Sequence, residues 1–410
     1  MTSEVRPTVS AAVPGKLRLD FVDVLRALAV TGVFALHARA YWVAPVEGVS
    51  VAFVLDRVVA QGAAGVDLFI VLSGFCMTYP LLRGRLHGIA TVDPLRFYKR
   101  RAIRLLPAYY AALALVLALE QVPVLRERMV AGPPDLQAVV AHVLLVQPFH
   151  SDTIGAINGP LWSISLEVTL YLVFPLVLAL LVRYGWLVIT VGSVCLALSW
   201  FLLAEVVDRT LPGNPWLSEM TYWLPAHHFE FVLGMLAAEM VCRPRSHQTL
   251  ICGLAILPLA AIGSLGTIAD LDVARTFGWG LAAFALTVAM SGVADRRHFQ
   301  RVVPVFAKLG LVSYSFYLLH QPAILLVAPE VRGLGLSAVA LYLLGVPIGI
   351  VLMATCAWAF FRAAERPFLL AGGMRDAIRR DAEVSPADGG DQIASGAPTG
   401  SESVTKLPGT

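Results

Sequence analysis

Arg26 and His37 stand in the stretch DVLRALAVTGVFALHARAYW, residues 23–42, whose central residues are apolar enough to enter a membrane. Eleven positions separate them, almost three turns at 3.6 residues per turn, so one helix presents both on the same face, about 16 Å apart. A guanidinium grips phosphate or carboxylate groups through a fixed fork of donors. A neutral imidazole can take up a proton near physiological pH. On separate helices, Arg26 would read as a snorkelling anchor and His37 as a satisfied helix-contact residue. Sharing a face, they suit a substrate with an anionic head and a reactive far end.

Other polar residues fall inside apolar segments, where each needs a partner or a function. Asp67 lies in GVDLFIVLSGF, with Ser73 and Gly74 about two turns further along, small residues that let helices approach closely. Arg101 and Arg104 share a helical face at i, i+3 in RFYKRRAIRLLPAYY, as a topology signal or as a cradle for phosphate groups. In NGPLWSISLEVTLYLVFP, Pro160 suits a first helical turn, and Ser163, Glu167 and Tyr171 then follow one another at i, i+4. In SYSFYLLHQP, Ser313, Tyr317 and His320 share a face, and Pro322 frees the carbonyl four residues before it. His227 and His228 fall near the end of a span and read as interfacial. The five cysteines have no paired spacing. No nucleophile elbow, Gly-rich phosphate loop or spaced metal-ligand cluster is visible, so no metal is expected.

The elements that must position these residues follow from composition. Of 410 residues, 58% are hydrophobic and 14% charged, with a mean hydropathy of +0.73; this describes an all-α polytopic membrane protein in the cell membrane. The net charge of +3 is modest, and its basic residues sit in short loops, so no nucleic-acid partner is implied. Ten segments can span: 23–43, 63–82, 104–120, 161–182, 186–204, 222–241, 249–268, 274–293, 308–328 and 337–361. The basic stretches 83–104, 242–247 and 295–301 all fall on the cytoplasmic side if both termini are cytoplasmic. That arrangement holds only if 135–149, between Pro134 and Pro148, is a short interfacial or re-entrant piece on the outer side. The expected organisation is a cytoplasmic segment 1–19, a membrane domain 20–370 and a disordered cytoplasmic tail 371–410.

Taken together, these blocks resemble the membrane acyltransferase-3 family. The resemblance rests on Arg26 and His37 with ten residues between them, GVDLFIVLSGF, the Arg101-x-x-Arg104 pair, WSISLE ending in Glu167, YSFYLLHQP around His320, and Glu365–Arg366–Pro367. It implies transfer of an acyl group, commonly acetyl, from coenzyme A to a hydroxyl of a sugar or cell-surface glycan; some members acylate a macrolide or another secreted metabolite. On that basis His37 is the essential histidine, Arg26 its partner in the motif, and Arg101 and Arg104 the arginine pair. The residues fit what the resemblance implies, with the phosphate-rich head of an acyl-CoA donor held by Arg26, Arg101 and Arg104. His37 would act as base, its ring oriented by either Asp67 or Glu167, with His320 as a second candidate histidine. No serine or cysteine shows an evident activating base, which favours direct transfer over a covalent intermediate. A proton-coupled transporter is the rival from another class, since buried carboxylates and histidines also serve proton relays, but no internal repeat is visible.

Overall fold

Every backbone N–H and C=O placed in hydrocarbon must find a partner within the chain, and helices meet that demand locally. The structure, a computed structural model, describes residues 19–83, 92–129, 134–217, 219–294 and 297–371. Among these no strand occurs. The principal helices are α1 (Asp20–Trp42), α2 (Val51–Ala60), α3 (Ala64–Leu82), α4 (Pro94–Leu119), α5 (Leu136–Val143), α6 (Trp162–Thr210), α7 (Leu224–Cys242), α8 (Gln248–Ile268), α9 (Asp272–Ser291), α10 (Arg297–Leu311), α11 (Ser313–Gly333) and α12 (Ala338–Ala371). The cytoplasmic segment and tail expected at the two ends lie, but for a residue or so, outside the described residues.

Seven helical stretches among the described residues are long and apolar enough to cross a membrane. The protein is an all-α polytopic membrane protein. The Gly159–Thr210 stretch has 52 residues, far more than one pass requires. Gly185, at φ 80° and ψ 171°, breaks α6 where the sequence separates two spans. A non-glycine residue adopts that positive φ only with strain. α7 and α11 fall outside the apolar class, yet both bury much of their length; His227 and Glu230 of α7 and Ser315 and His320 of α11 are buried in the bundle.

The expected short piece at 135–149 is the eight-residue α5, about 12 Å long, followed by Leu145 at φ 59°. It cannot cross a hydrocarbon core of about 30 Å. Side chains of α4 and of the approach to α7 tie this segment down: the Tyr109 and Tyr110 hydroxyls donate to the His142 and Val143 carbonyls, each at 2.9 Å, and Trp223 Nε1 donates to the Pro148 carbonyl at 3.0 Å.

Glycines set the tightest crossing in the bundle. A Cβ on Gly74 would lie 2.0 Å from the Phe231 carbonyl oxygen, and one on Gly234 would lie 1.9 Å from that of Val71. α3 and α7 therefore meet backbone to backbone. α1 runs beside this pair, contacting α3, α10 and α11. An aromatic cluster that includes Phe34, Trp42, Tyr109 and Phe316 fills the space where α1, α4, α11 and α12 converge. Site residues from seven of these helices are held by this frame.

Candidate active site

α1 opens with Asp20 and Asp23 in its first turn, where acidic groups complement the helix dipole. Its far end is pinned by Arg39, which pairs with Asp56 of α2 at 2.7 Å while the Tyr342 hydroxyl donates to the same carboxylate at 2.6 Å. With both ends anchored, Arg26 and His37 face two different cavities.

The first cavity gathers Arg26 from α1, Arg101 and Arg104 from α4, and Glu167 and Tyr171 from α6. The three arginines expected to act together therefore converge. Arg26 Nη2 donates to Cys76 Sγ at 3.7 Å. The Arg101 guanidinium lies 5.8 Å from the Phe97 ring centre and 5.7 Å from that of Tyr171, and its Nε is buried without a hydrogen-bond partner among the described residues. Glu167 accepts from Ser73 Oγ at 3.0 Å and from the Tyr171 hydroxyl. Glu167 is the carboxylate in the lining and Asp23 lies 3.8 Å from Arg26, so three guanidiniums against these two carboxylates leave the cavity net positive and suited to an anionic group.

The second cavity, about 480 Å³, is lined by His37, Asp67, Trp162, Arg275, Trp279 and Gln321 among others. His37 Nδ1 lies 2.9 Å from the Val33 carbonyl oxygen. A carbonyl only accepts, so Nδ1 carries the proton and Nε2 keeps its lone pair. His320 Nδ1 donates in the same way to the Tyr317 carbonyl at 2.6 Å, which leaves its Nε2 lone pair 3.4 Å from His37 Nδ1. The two rings meet edge to face, 4.9 Å apart at 73°. If His37 gains a second proton at Nε2, the resulting cation is stabilised behind by the Val33 carbonyl and His320. His320 is fully buried and lines neither cavity, so its contact with the His37 cavity runs through the His37 ring.

The expected carboxylate orienting His37 is not found. Glu167 lies in the arginine cavity, and Asp67, though it lines the His37 cavity, makes its close contacts elsewhere. The carbonyl of Val33, one turn back on α1, supplies the orientation instead. Pro322 does free the Leu318 carbonyl, and Asn158 Nδ2 satisfies it at 2.9 Å, which fixes α11 against the start of α6.

Asp67 sits with His227 and Glu230 of α7, their ligand-type atoms all within 4.8 Å of one another. His227 is buried and shares a hydrogen bond of 3.1 Å between its Nδ1 and Glu230 Oε2; it is not interfacial, because the Gly74–Gly234 crossing draws α7 into the bundle. An imidazole and two carboxylates at this spacing could accept a divalent cation. The grouping escapes sequence inspection because 160 residues separate Asp67 from His227.

Comparison with known proteins shows the family. The acyltransferase-domain model of the acyltransferase-3 family matches residues 19–362. The exopolysaccharide production protein ExoZ of Rhizobium meliloti is 29% identical over 330 residues, covering 77% of this chain and 92% of ExoZ. The acyltransferase MdmB of Streptomyces mycarofaciens is 27% identical over 320 residues, covering 75% of this chain and 79% of MdmB. The O-acetyltransferase OatA of Staphylococcus aureus is 30% identical over 172 residues, 40% of this chain but only 25% of OatA. No solved structure matches the chain. With the family model covering nearly all of the membrane bundle, this chain belongs to the acyltransferase-3 family.

Proposed function

We propose that the protein moves an acyl group, acetyl in its simplest form, from acyl-CoA to a hydroxyl of a sugar or cell-surface glycan, as a multi-pass protein of the plasma membrane with both termini in the cytoplasm. The observation that carries this reading is the adjacency of the two cavities: an arginine-lined one and one presenting the Nε2 lone pair of His37, with Val66 and Tyr317 in the walls of both. Arg26, Arg101 and Arg104 would hold the phosphates of coenzyme A, and the thioester would reach toward the shared wall. The acceptor hydroxyl would enter the His37 cavity, where Trp162 and Trp279 offer flat apolar faces of the kind sugars stack on. His37 Nε2 takes the hydroxyl proton as the oxygen attacks, and the products are an ester and a free thiol.

ExoZ carries exopolysaccharide production in its name, which supports a glycan acceptor for this chain. Membership in an acyltransferase family favours the enzyme over a proton-coupled transporter. The test is mass spectrometry of surface glycans and secreted metabolites from cells with and without the gene. Loss of one acyl mass from a glycan is expected. Loss from a secreted metabolite such as a macrolide would move the acceptor to that class, and no change in either fraction would contradict the acyl-transfer reading.

A further inference from the structure

The wall between the two cavities holds a hydroxyl at the point where donor and acceptor have to meet. Of the two residues lining both cavities, Val66 offers only methyl groups, whereas Tyr317 offers a phenol. The Tyr317 oxygen lies 2.7 Å from Ser163 Oγ, which lines the arginine cavity, and 3.1 Å from the carbonyl oxygen of Pro160, which lines the His37 cavity. The rest of Tyr317 is locked: its ring meets Phe69 edge to face at 5.8 Å, lies 5.2 Å from the His320 ring, and its backbone carbonyl accepts from His320 Nδ1. The phenol is thus held in place, one residue from the His37–His320 pair.

The Pro160 carbonyl only accepts, and Ser163 Oγ lies 3.1 Å from it as well as 2.7 Å from the phenol oxygen, so the network has two proton arrangements. In one, Ser163 donates to Pro160 and the phenol donates to Ser163. In the other, Ser163 donates to the phenol oxygen and the phenol proton is left to the longer bond with Pro160, from which a better acceptor in the wall can take it. A thioester carbonyl reaching through the arginine cavity offers such an acceptor, and it becomes a far stronger one as it gains negative charge.

We propose that the Tyr317 hydroxyl, supported by Ser163, donates a hydrogen bond to the oxyanion of the tetrahedral intermediate, an inference that rests on acyl-CoA being the donor. The acceptor oxygen forms a bond to the thioester carbon while His37 Nε2 takes its proton, and the carbonyl electron pair moves onto the oxygen facing Tyr317. On collapse the oxyanion pair re-forms the carbonyl, and the sulfur leaves with the C–S bonding pair and receives the proton held by His37, giving ester and thiol.

Tyr317→Phe tests this, since it keeps the ring that divides the cavities and removes only the donor. Losing one oxyanion donor costs about 10² to 10³ in kcat, so a fall of that size is expected, with KM for acyl-CoA and acceptor each within about twofold of wild type. A ring-fluorinated tyrosine at position 317, which keeps the donor, should restore turnover, and this arm separates donation from packing if the Phe variant proves less stable. Turnover within threefold of wild type in Tyr317→Phe, or a raised KM with kcat kept, would overturn the assignment while leaving the acyl-CoA reading intact. Wild-type membranes that acylate in cells but take nothing from acyl-CoA would instead remove the donor reading, and the oxyanion assignment with it.

Discussion

A histidine within a membrane helix can act as a base only if one ring nitrogen keeps its lone pair toward the substrate. For His37 that condition is met by the helix itself, because the Val33 carbonyl holds the proton on Nδ1. Periodicity alone placed Arg26 and His37 on one face, but it could not show that the ring partner is a main-chain oxygen and a histidine 283 residues away. Sequence reasoning looked to the nearest carboxylates, since an intramembrane acid and a histidine are natural partners. Asp67 found partners on α7 and Glu167 found Ser73 and Tyr171, both through tertiary contacts that spacing does not encode. On the donor side, the unpartnered Arg101 Nε leads to a prediction. Hydrogen bonds to charged groups contribute about 1.5–3 kcal/mol each, so Arg101→Ala should raise KM for acyl-CoA by roughly tenfold or more, with kcat near wild type, in steady-state kinetics on membranes. Unchanged donor kinetics would return Arg101 to a topology signal.

Helices were the most legible level. Hydropathy located the long apolar helices but not α2 or most of α10, and the separation of two spans near residue 185 corresponds to the positive φ of Gly185. The shortness of the 135–149 piece was also readable, from Pro134 and Pro148. The depth of α7 was not. Its histidines suggested an interface, but the glycine crossing with α3 pulls this helix inward and turns His227 and Glu230 toward Asp67. Gly74 was expected to permit close approach; its partner Gly234 becomes visible only in three dimensions. A side chain at position 234 would meet the Val71 carbonyl oxygen at 1.9 Å. Overpacking of this kind costs about 1–3 kcal/mol, so Gly234→Val should lower the thermal unfolding midpoint in detergent and reduce turnover together. An unchanged midpoint would mean that the crossing does not hold the site.

At the scale of the whole molecule, the bundle keeps two chemically different cavities on either side of one wall. The arginine cavity is built by α1, α3, α4, α6 and α11, and the His37 cavity draws on α1, α3, α6 and α11 again with α7 and α9 added. Four helices are therefore common to both, so a donor and an acceptor bound in separate cavities are held by one rigid frame, and proximity can substitute for much of the entropy cost of bringing them together. The proposed reaction across the wall depends on His37 accepting the acceptor's proton. The most direct measurement compares wild type and His37→Gln, at equal protein levels in membranes, for transfer of a labelled acetyl group from acetyl-CoA to the acceptor. Glutamine keeps much of the size and hydrogen-bonding capacity but cannot take up the proton. Expected is a loss of about 10² to 10⁴ in rate, the usual cost of removing a positioned general base; turnover near the wild-type rate would contradict the assignment of His37 as that base.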